Sequence, residues 1–207
     1  MKLRRDGIPP LLVYNKGMNA GTIIFINGAS SSGKTSIVHA LQDMLKEPYL
    51  EAGIDKFIWM LPERYLDRPC WDDVLGLADK AGAEGQALIH GMHLAIAALS
   101  NAGNNVIADH VIVEPAWATE CIRLFADLPA YLIGVQCPLE ILEQRERTRK
   151  NRTLGQAKLQ VPIIHKYVIY DLEVDTSLLS PTECAQAILS RMQTPAEAFK
   201  RLKRQMI

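Results

Sequence analysis

Long apolar runs are missing from this chain. Nothing approaches the roughly 18 residues that a membrane-spanning helix needs, and Arg4 and Arg5 are not followed by the apolar stretch of a secretory leader. No membrane partner is expected. Cysteine is scarce: Cys70, Cys121, Cys137 and Cys184 lie far apart without a C-x-x-C pair, which argues against a disulfide framework or a zinc site. Their mostly apolar surroundings suit reduced, buried thiols in a cytoplasmic protein. Neither sign of charge is in excess. Lys+Arg and Asp+Glu both total 23, so no net field draws a nucleic-acid partner, and charged chemistry must come from local clusters. Internal repeats and low-complexity tracts are absent too, and 207 residues suit a single domain.

What is present is a phosphate-binding loop. Gly28-Ala29-Ser30-Ser31-Ser32-Gly33-Lys34-Thr35 matches G-x-x-x-x-G-K-[ST] in full, directly after the apolar run Thr22 to Ile26. Glycines allow backbone conformations closed to other residues, loop N–H groups can point at phosphate oxygens, and the next helix adds its positive dipole end. These eight residues and Ser36 form the candidate nucleotide site. Lys34 is expected on the β- and γ-phosphates of ATP, with the Thr35 hydroxyl on Mg²⁺.

Along the rest of the chain, residues 1–20 carry Gly7, Pro9, Pro10 and Gly17 without periodicity and read as a loosely ordered extension. A helix over Ile37 to Leu45 stops at Pro48, and Tyr49 to Ile54 reads as a strand ending at Asp55. Residues 56–84 form a short helix and an irregular lobe. Helices are expected over Gln86 to Asn101, residues 115–126, from Pro138, over 156–168 and from Pro181 to Met192; strands are expected over Val106 to Ala108, Tyr131 to Gln136 and Tyr170 to Val174. Lys200, Arg201, Lys203 and Arg204 read as a basic C-terminal tail over 195–207, ending as a solvated helix. Alternating strands and helices imply an α/β fold, a five-stranded parallel sheet covered on both faces, with ligands at the carboxyl ends of the strands.

Two carboxylates fall at such ends. Asp55 can accept the proton of an attacking hydroxyl, and it equally suits the N-cap of a helix starting at Lys56. Asp109 closes an apolar strand, where a carboxylate commonly holds Mg²⁺ directly or through water; a turn-forming Asp is the alternative. Arg145, Arg147, Arg149 and Arg152 interleave with Glu143 and Glu146, as on a salt-bridged surface. Their position after the fourth strand, followed by a break at Asn151 to Gly155, also suits a lid over residues 145–156 that closes on the triphosphate. His90 and His93 stand three apart on a helix but lack a further metal ligand nearby in sequence. His110, beside Asp109, is expected to be structural. Phe57, Trp59, Met60, Tyr65 and Trp71 are core or the wall of an acceptor pocket.

From about Ile23 to Leu189 the chain resembles the chloramphenicol phosphotransferase-like family of small P-loop kinases. The resemblance rests on Ile24-Phe25-Ile26-Asn27-Gly28, Glu47-Pro48-Tyr49-Leu50 with Gly53-Ile54-Asp55, Cys137 leading to Arg145, Arg149 and Arg152, and Tyr170 through Thr176. It implies strand order 2-3-1-4-5, a kinase domain over residues 21–194, Asp55 as general base on a small-molecule hydroxyl acceptor, Lys34 and Thr35 on phosphate and Mg²⁺, and Arg149 and Arg152 as lid arginines. Trp59, Arg64, Tyr65, Arg68 and Trp71 depart from the antibiotic-modifying pattern in the acceptor region. A kinase of another metabolite or nucleotide therefore stays open, as does a nucleotide-dependent switch protein without transfer activity.

Overall fold

A computed structural model of the chain describes residues 19–63, 82–148 and 154–206. The strands are β1 (Ile23–Gly28), β2 (Tyr49–Glu51), β3 (Asn105–His110), β4 (Ala130–Gln136) and β5 (Leu172–Asp175). They form one parallel sheet in the order β2-β3-β1-β4-β5. The helices are α1 (Lys34–Met44), α2 (Ile54–Ile58), α3 (Gly82–Asn101), α4 (Pro115–Phe125), α5 (Leu139–Thr148), α6 (Gln156–Gln160), α7 (Pro181–Arg191) and α8 (Ala198–Gln205).

The continuous apolar run of β1 follows from its central place, since a strand with both faces covered needs no polar alternation. Ile23 and Phe25 pack on one side with residues of α2, α3, α4 and α8, while Ile24 and Ile26 pack on the other with α1 and α7. Both faces are therefore dry. Pairing β1 with β3 in register sets Ile26 beside Asp109 and Asn27 beside His110. The phosphate loop and the end of β3 consequently leave the sheet side by side.

Several expected boundaries move. The second strand ends at Glu51, so Asp55 lies in the first turn of α2 and Gly53 occupies the N-cap position. The capping role for Asp55 is thus overturned. The helix expected over 156–168 ends at Gln160 and continues as turns, and the last strand starts at Leu172 rather than Tyr170. The terminal helix has the expected exposed basic residues, but Ala198, Phe199 and Leu202 are buried in the larger core. Asp171 docks it: Oδ1 accepts from Glu197 N, Ala198 N and Arg191 Nη2, and Oδ2 accepts from Leu132 N. That carboxylate ties β4, α7 and α8 together. Cys121 and Cys184 are buried free thiols and Cys137 is a half-buried one. Among the described residues no helix is long and apolar enough to cross a membrane.

Residues 1–18 of the extension expected over 1–20, the part of the lobe containing Arg64, Tyr65, Arg68, Cys70 and Trp71, and the arginines Arg149 and Arg152 lie outside the described residues.

Candidate active site

The loop between β1 and α1 turns back through two left-handed residues, Ser31 (φ 61°) and Gly33 (φ 89°). Glycine meets that conformation without the strain a side chain brings, which explains Gly33 immediately before α1. Lys34 is buried and folds over the loop, donating from Nζ to Gly28 O and Ala29 O, each at 2.8 Å. The hydroxyls of Ser30, Ser31 and Ser32 are buried with no hydrogen-bond partner among the described residues. Orphaned buried hydroxyls are costly, so three on one loop suit a ligand rich in acceptors. That donor set fits a nucleotide phosphate chain.

Asp109 reaches the loop from the end of β3. Thr35 Oγ1 donates to its Oδ2 at 3.3 Å, so hydroxyl and carboxylate are adjacent, as two oxygen ligands of one Mg²⁺ need to be. Burial pushes the Asp109 carboxyl up; the Lys34 ammonium opposes that, whereas Asp55 and Glu51 reinforce it by like charge. A cation here would relieve the repulsion. Asp55, Asp109, Lys34, Thr35, Ser30 and Gln160 share one cavity. The structure thereby brings together two carboxylates that are 54 positions apart in sequence.

A second cavity of about 290 Å³ also borders the loop and includes Ser36, Arg145, Thr176 and Leu179. Both cavities touch Ser31 and Gly33. A ligand crossing the loop can therefore have one end in each. Arg145 lines the second one, donating from Nη1 to Thr176 Oγ1 at 3.0 Å and from Nη2 to Thr176 O at 2.8 Å. Thr176 Oγ1 in turn donates to Ser32 O at 2.8 Å. β5 and α5 are thus both tied to the phosphate loop.

Buried polar side chains hold the surrounding backbone. Asn27 Oδ1 accepts from Ile112 N at 2.8 Å, and its Nδ2 donates to Ile164 O and Tyr170 OH. On the opposite side, Val111 N donates to His110 Nδ1 at 2.6 Å, which assigns the His110 proton to Nε2. That nitrogen faces His93 Nε2 at 2.8 Å, so His93 carries its proton on Nδ1 and donates to Glu120 Oε2 at 2.5 Å. His90 meets the other Glu120 oxygen. Burial holds both His93 and His110 below the ordinary imidazole range. His110 is structural, as expected, and no group of three or more metal-ligating side chains occurs among the described residues.

Other expectations change. Glu146 is no surface partner of the arginines: it is 1% exposed and accepts from Gly155 N at 3.0 Å and Ala157 N at 2.8 Å. Its place one turn after buried Leu142 on the same stripe was the available signal. Arg147 does pair with Glu143 on the surface. Trp59 and Met60 are 59% and 69% exposed and line neither cavity, while half-buried Phe57 packs against the core. Sequence reading gives Gln160 no role, quotes Gly53 only as part of the family resemblance and takes Arg145 as a lid arginine, because the contacts each makes are remote in sequence.

Residues 21–193 match the family described as Chloramphenicol phosphotransferase-like protein. A protein of Mycobacterium tuberculosis (strain H37Rv) named as a putative O-phosphotransferase is 33% identical over 206 residues, with 92% of each chain covered. The Mycobacterium tuberculosis APS kinase CysC, in complex with AMPPNP and APS, superposes with a TM-score of 0.63 at 16% identity, covering 85% of this chain and 99% of that one. Shikimate kinase from Acinetobacter baumannii, in complex with shikimate, gives 0.57 at 14% identity, covering 84% and 93%. The tunicamycin resistance protein of Deinococcus radiodurans gives 0.56 at 18% identity, covering 85% and 98%. At these identities the structural likenesses speak for the fold.

Proposed function

The chain belongs to the chloramphenicol phosphotransferase-like family and is a small-molecule P-loop phosphotransferase; we propose that it moves the γ-phosphoryl of ATP to a hydroxyl of chloramphenicol or a compound of similar chemistry. One observation carries the reading. A complete phosphate loop with unpartnered buried hydroxyls opens onto a cavity that also contains two carboxylates, Asp55 and Asp109.

In this reading the hydroxyl groups of Ser30, Ser31 and Ser32, which have no partner within the loop, bind phosphate oxygens together with the Ser31 N–H. Lys34 exchanges the carbonyls of Gly28 and Ala29 for the terminal phosphates. Thr35 and Asp109 would hold Mg²⁺, which when bound offsets charge on the phosphate oxygens. Asp55 accepts the proton of the acceptor hydroxyl as its oxygen attacks the γ-phosphorus. Gly28, Ala29, Gly33 and Ser36 complete the cradle, and Arg145 with Thr176 borders the nucleoside end. Arg149 and Arg152, by family resemblance, close over the phosphates. The three free thiols among the described residues fit a cytoplasmic location.

Incubation of the protein with Mg·ATP and chloramphenicol, followed by mass spectrometry, should yield the phosphorylated drug. Asp55→Asn should retain ATP-analogue binding and lose about 10²-fold or more in transfer. Transfer to another hydroxyl compound alone, still dependent on Asp55, discards the antibiotic and keeps the kinase; no acceptor-dependent transfer from a panel of hydroxyl compounds favours the switch protein.

A further inference from the structure

Gln160 is the last residue of the five-residue helix α6 and is wholly buried. Its Oε1 accepts from Ser30 N at 2.6 Å, across 130 positions of sequence. Ser30 lines the cavity of Asp55 and Asp109, whereas the Arg145 and Thr176 cavity reaches the loop at Ser31, Gly33 and Ser36. The contact therefore sits on the limb of the loop facing the carboxylates. In a nucleotide whose nucleoside lies beside Arg145, the terminal phosphoryl is the part directed toward that limb.

The helix bearing Gln160 is fixed at both ends. Glu146 holds its start through Gly155 N and Ala157 N, and Asn27, adjoining the loop, holds the following turn through Ile164 O. Ile164 N also donates to Gln160 O at 2.8 Å. A rigidly held amide can set the position of the N–H it touches. We propose that Gln160 is a positioning residue that sets the phosphate loop for the terminal phosphoryl, so that α6 makes the site prefer a nucleoside triphosphate to a diphosphate. This rests on the phosphotransferase reading above and adds a residue that neither the loop motif nor the carboxylates indicate.

Two substitutions of similar size separate positioning from packing. Gln160→Met removes the acceptor for Ser30 N; Gln160→Glu keeps an acceptor but adds negative charge beside the third phosphoryl. Each variant is titrated calorimetrically with Mg·ADP and with a non-hydrolysable Mg·ATP analogue, and kcat and KM are measured with the acceptor found for the wild type. Gln160→Met should lower kcat by about tenfold, the scale of one hydrogen bond at a charged site, while Mg·ADP affinity stays within about twofold. Gln160→Glu should weaken the triphosphate analogue about tenfold more than Mg·ADP. Equal loss for both nucleotides, or unchanged kcat and preference in both variants, overturns the proposal. Should Gln160→Met fail to fold, the nucleotide preference of Gln160→Glu decides alone. A wild-type protein that binds neither nucleotide overturns the phosphotransferase reading itself, and the wild-type titration reveals that before any variant is made.

Discussion

The Asp109 carboxylate rests on the bare Cα of Gly53: a Cβ on Gly53 would stand 1.6 Å from Asp109 Oδ1. Gly53 has φ −73° and ψ 162°, a conformation open to any residue, so glycine is required there for space alone. The same residue caps α2, which carries Asp55. One missing side chain thus lets the Asp109 carboxylate sit against the start of the helix that carries Asp55.

Gly53→Ala must push Asp109 away from Thr35 or move the start of α2. Either shift is about 1 Å or more, a misplacement that can cost about 10²-fold in rate. Turnover should fall by that order while the fold persists by circular dichroism. Wild-type turnover in this variant would show that Asp109 is free to move without consequence.

Lys34→Ala removes the ammonium that now occupies the carbonyls of Gly28 and Ala29. Affinity for a Mg·ATP analogue should drop by about 10²-fold, equivalent to about 2.7 kcal/mol. The thermal midpoint without nucleotide should change by only a few degrees, because the side chain packs on the loop and not in either large core. Calorimetric titration together with a melting curve checks both halves.

Arg145→Ala breaks the two bonds to Thr176 at the second cavity. If the nucleoside lies there, KM for ATP should rise about tenfold with kcat nearly unchanged, since the lost contact concerns ground state and transition state alike. A lowered melting point with unchanged KM would instead limit Arg145 to tying β5 to α5.

Acid should weaken the fold through His93. Its neutral form is held by burial, with Glu120 drawing its pKa upward and His90 downward, while His110 presents an N–H to its Nε2. The folded value lies below the ordinary imidazole value of about 6.5, so the unfolded chain binds the proton first and stability falls as pH drops below about 6.5. The limiting slope is about 1.4 kcal/mol per pH unit for each histidine so held. Urea denaturation at pH 8 and pH 5.5 should show the difference for the wild type and a smaller one for His93→Gln. Equal stability at both values in the wild type contradicts the buried neutral assignment.

Much of this protein could be read from local pattern. The phosphate loop is a contiguous signature in which each residue type answers a local demand, and the apolar β1 before it announces a strand covered on both faces. Asp109 was legible because an apolar strand ended on it. Asp55 is a candidate from its expected place at a strand end, whereas it belongs to the first turn of a helix whose cap is Gly53.

By itself, the order of residues determined the α/β class, the loop that meets phosphate and the two carboxylates. Those depend on periodicity and on neighbours along the chain. Only the tertiary structure decided that Glu146 leaves the arginine face to hold α6, that Phe199 and Leu202 turn a basic tail into part of the core, and that Gln160 reaches Ser30. It also decided that the Asp109 carboxylate fills the space a side chain on Gly53 would need. Each of these is a contact between segments distant in sequence. Whether a side chain is buried, satisfied or crowded depends on which remote backbone the fold brings against it.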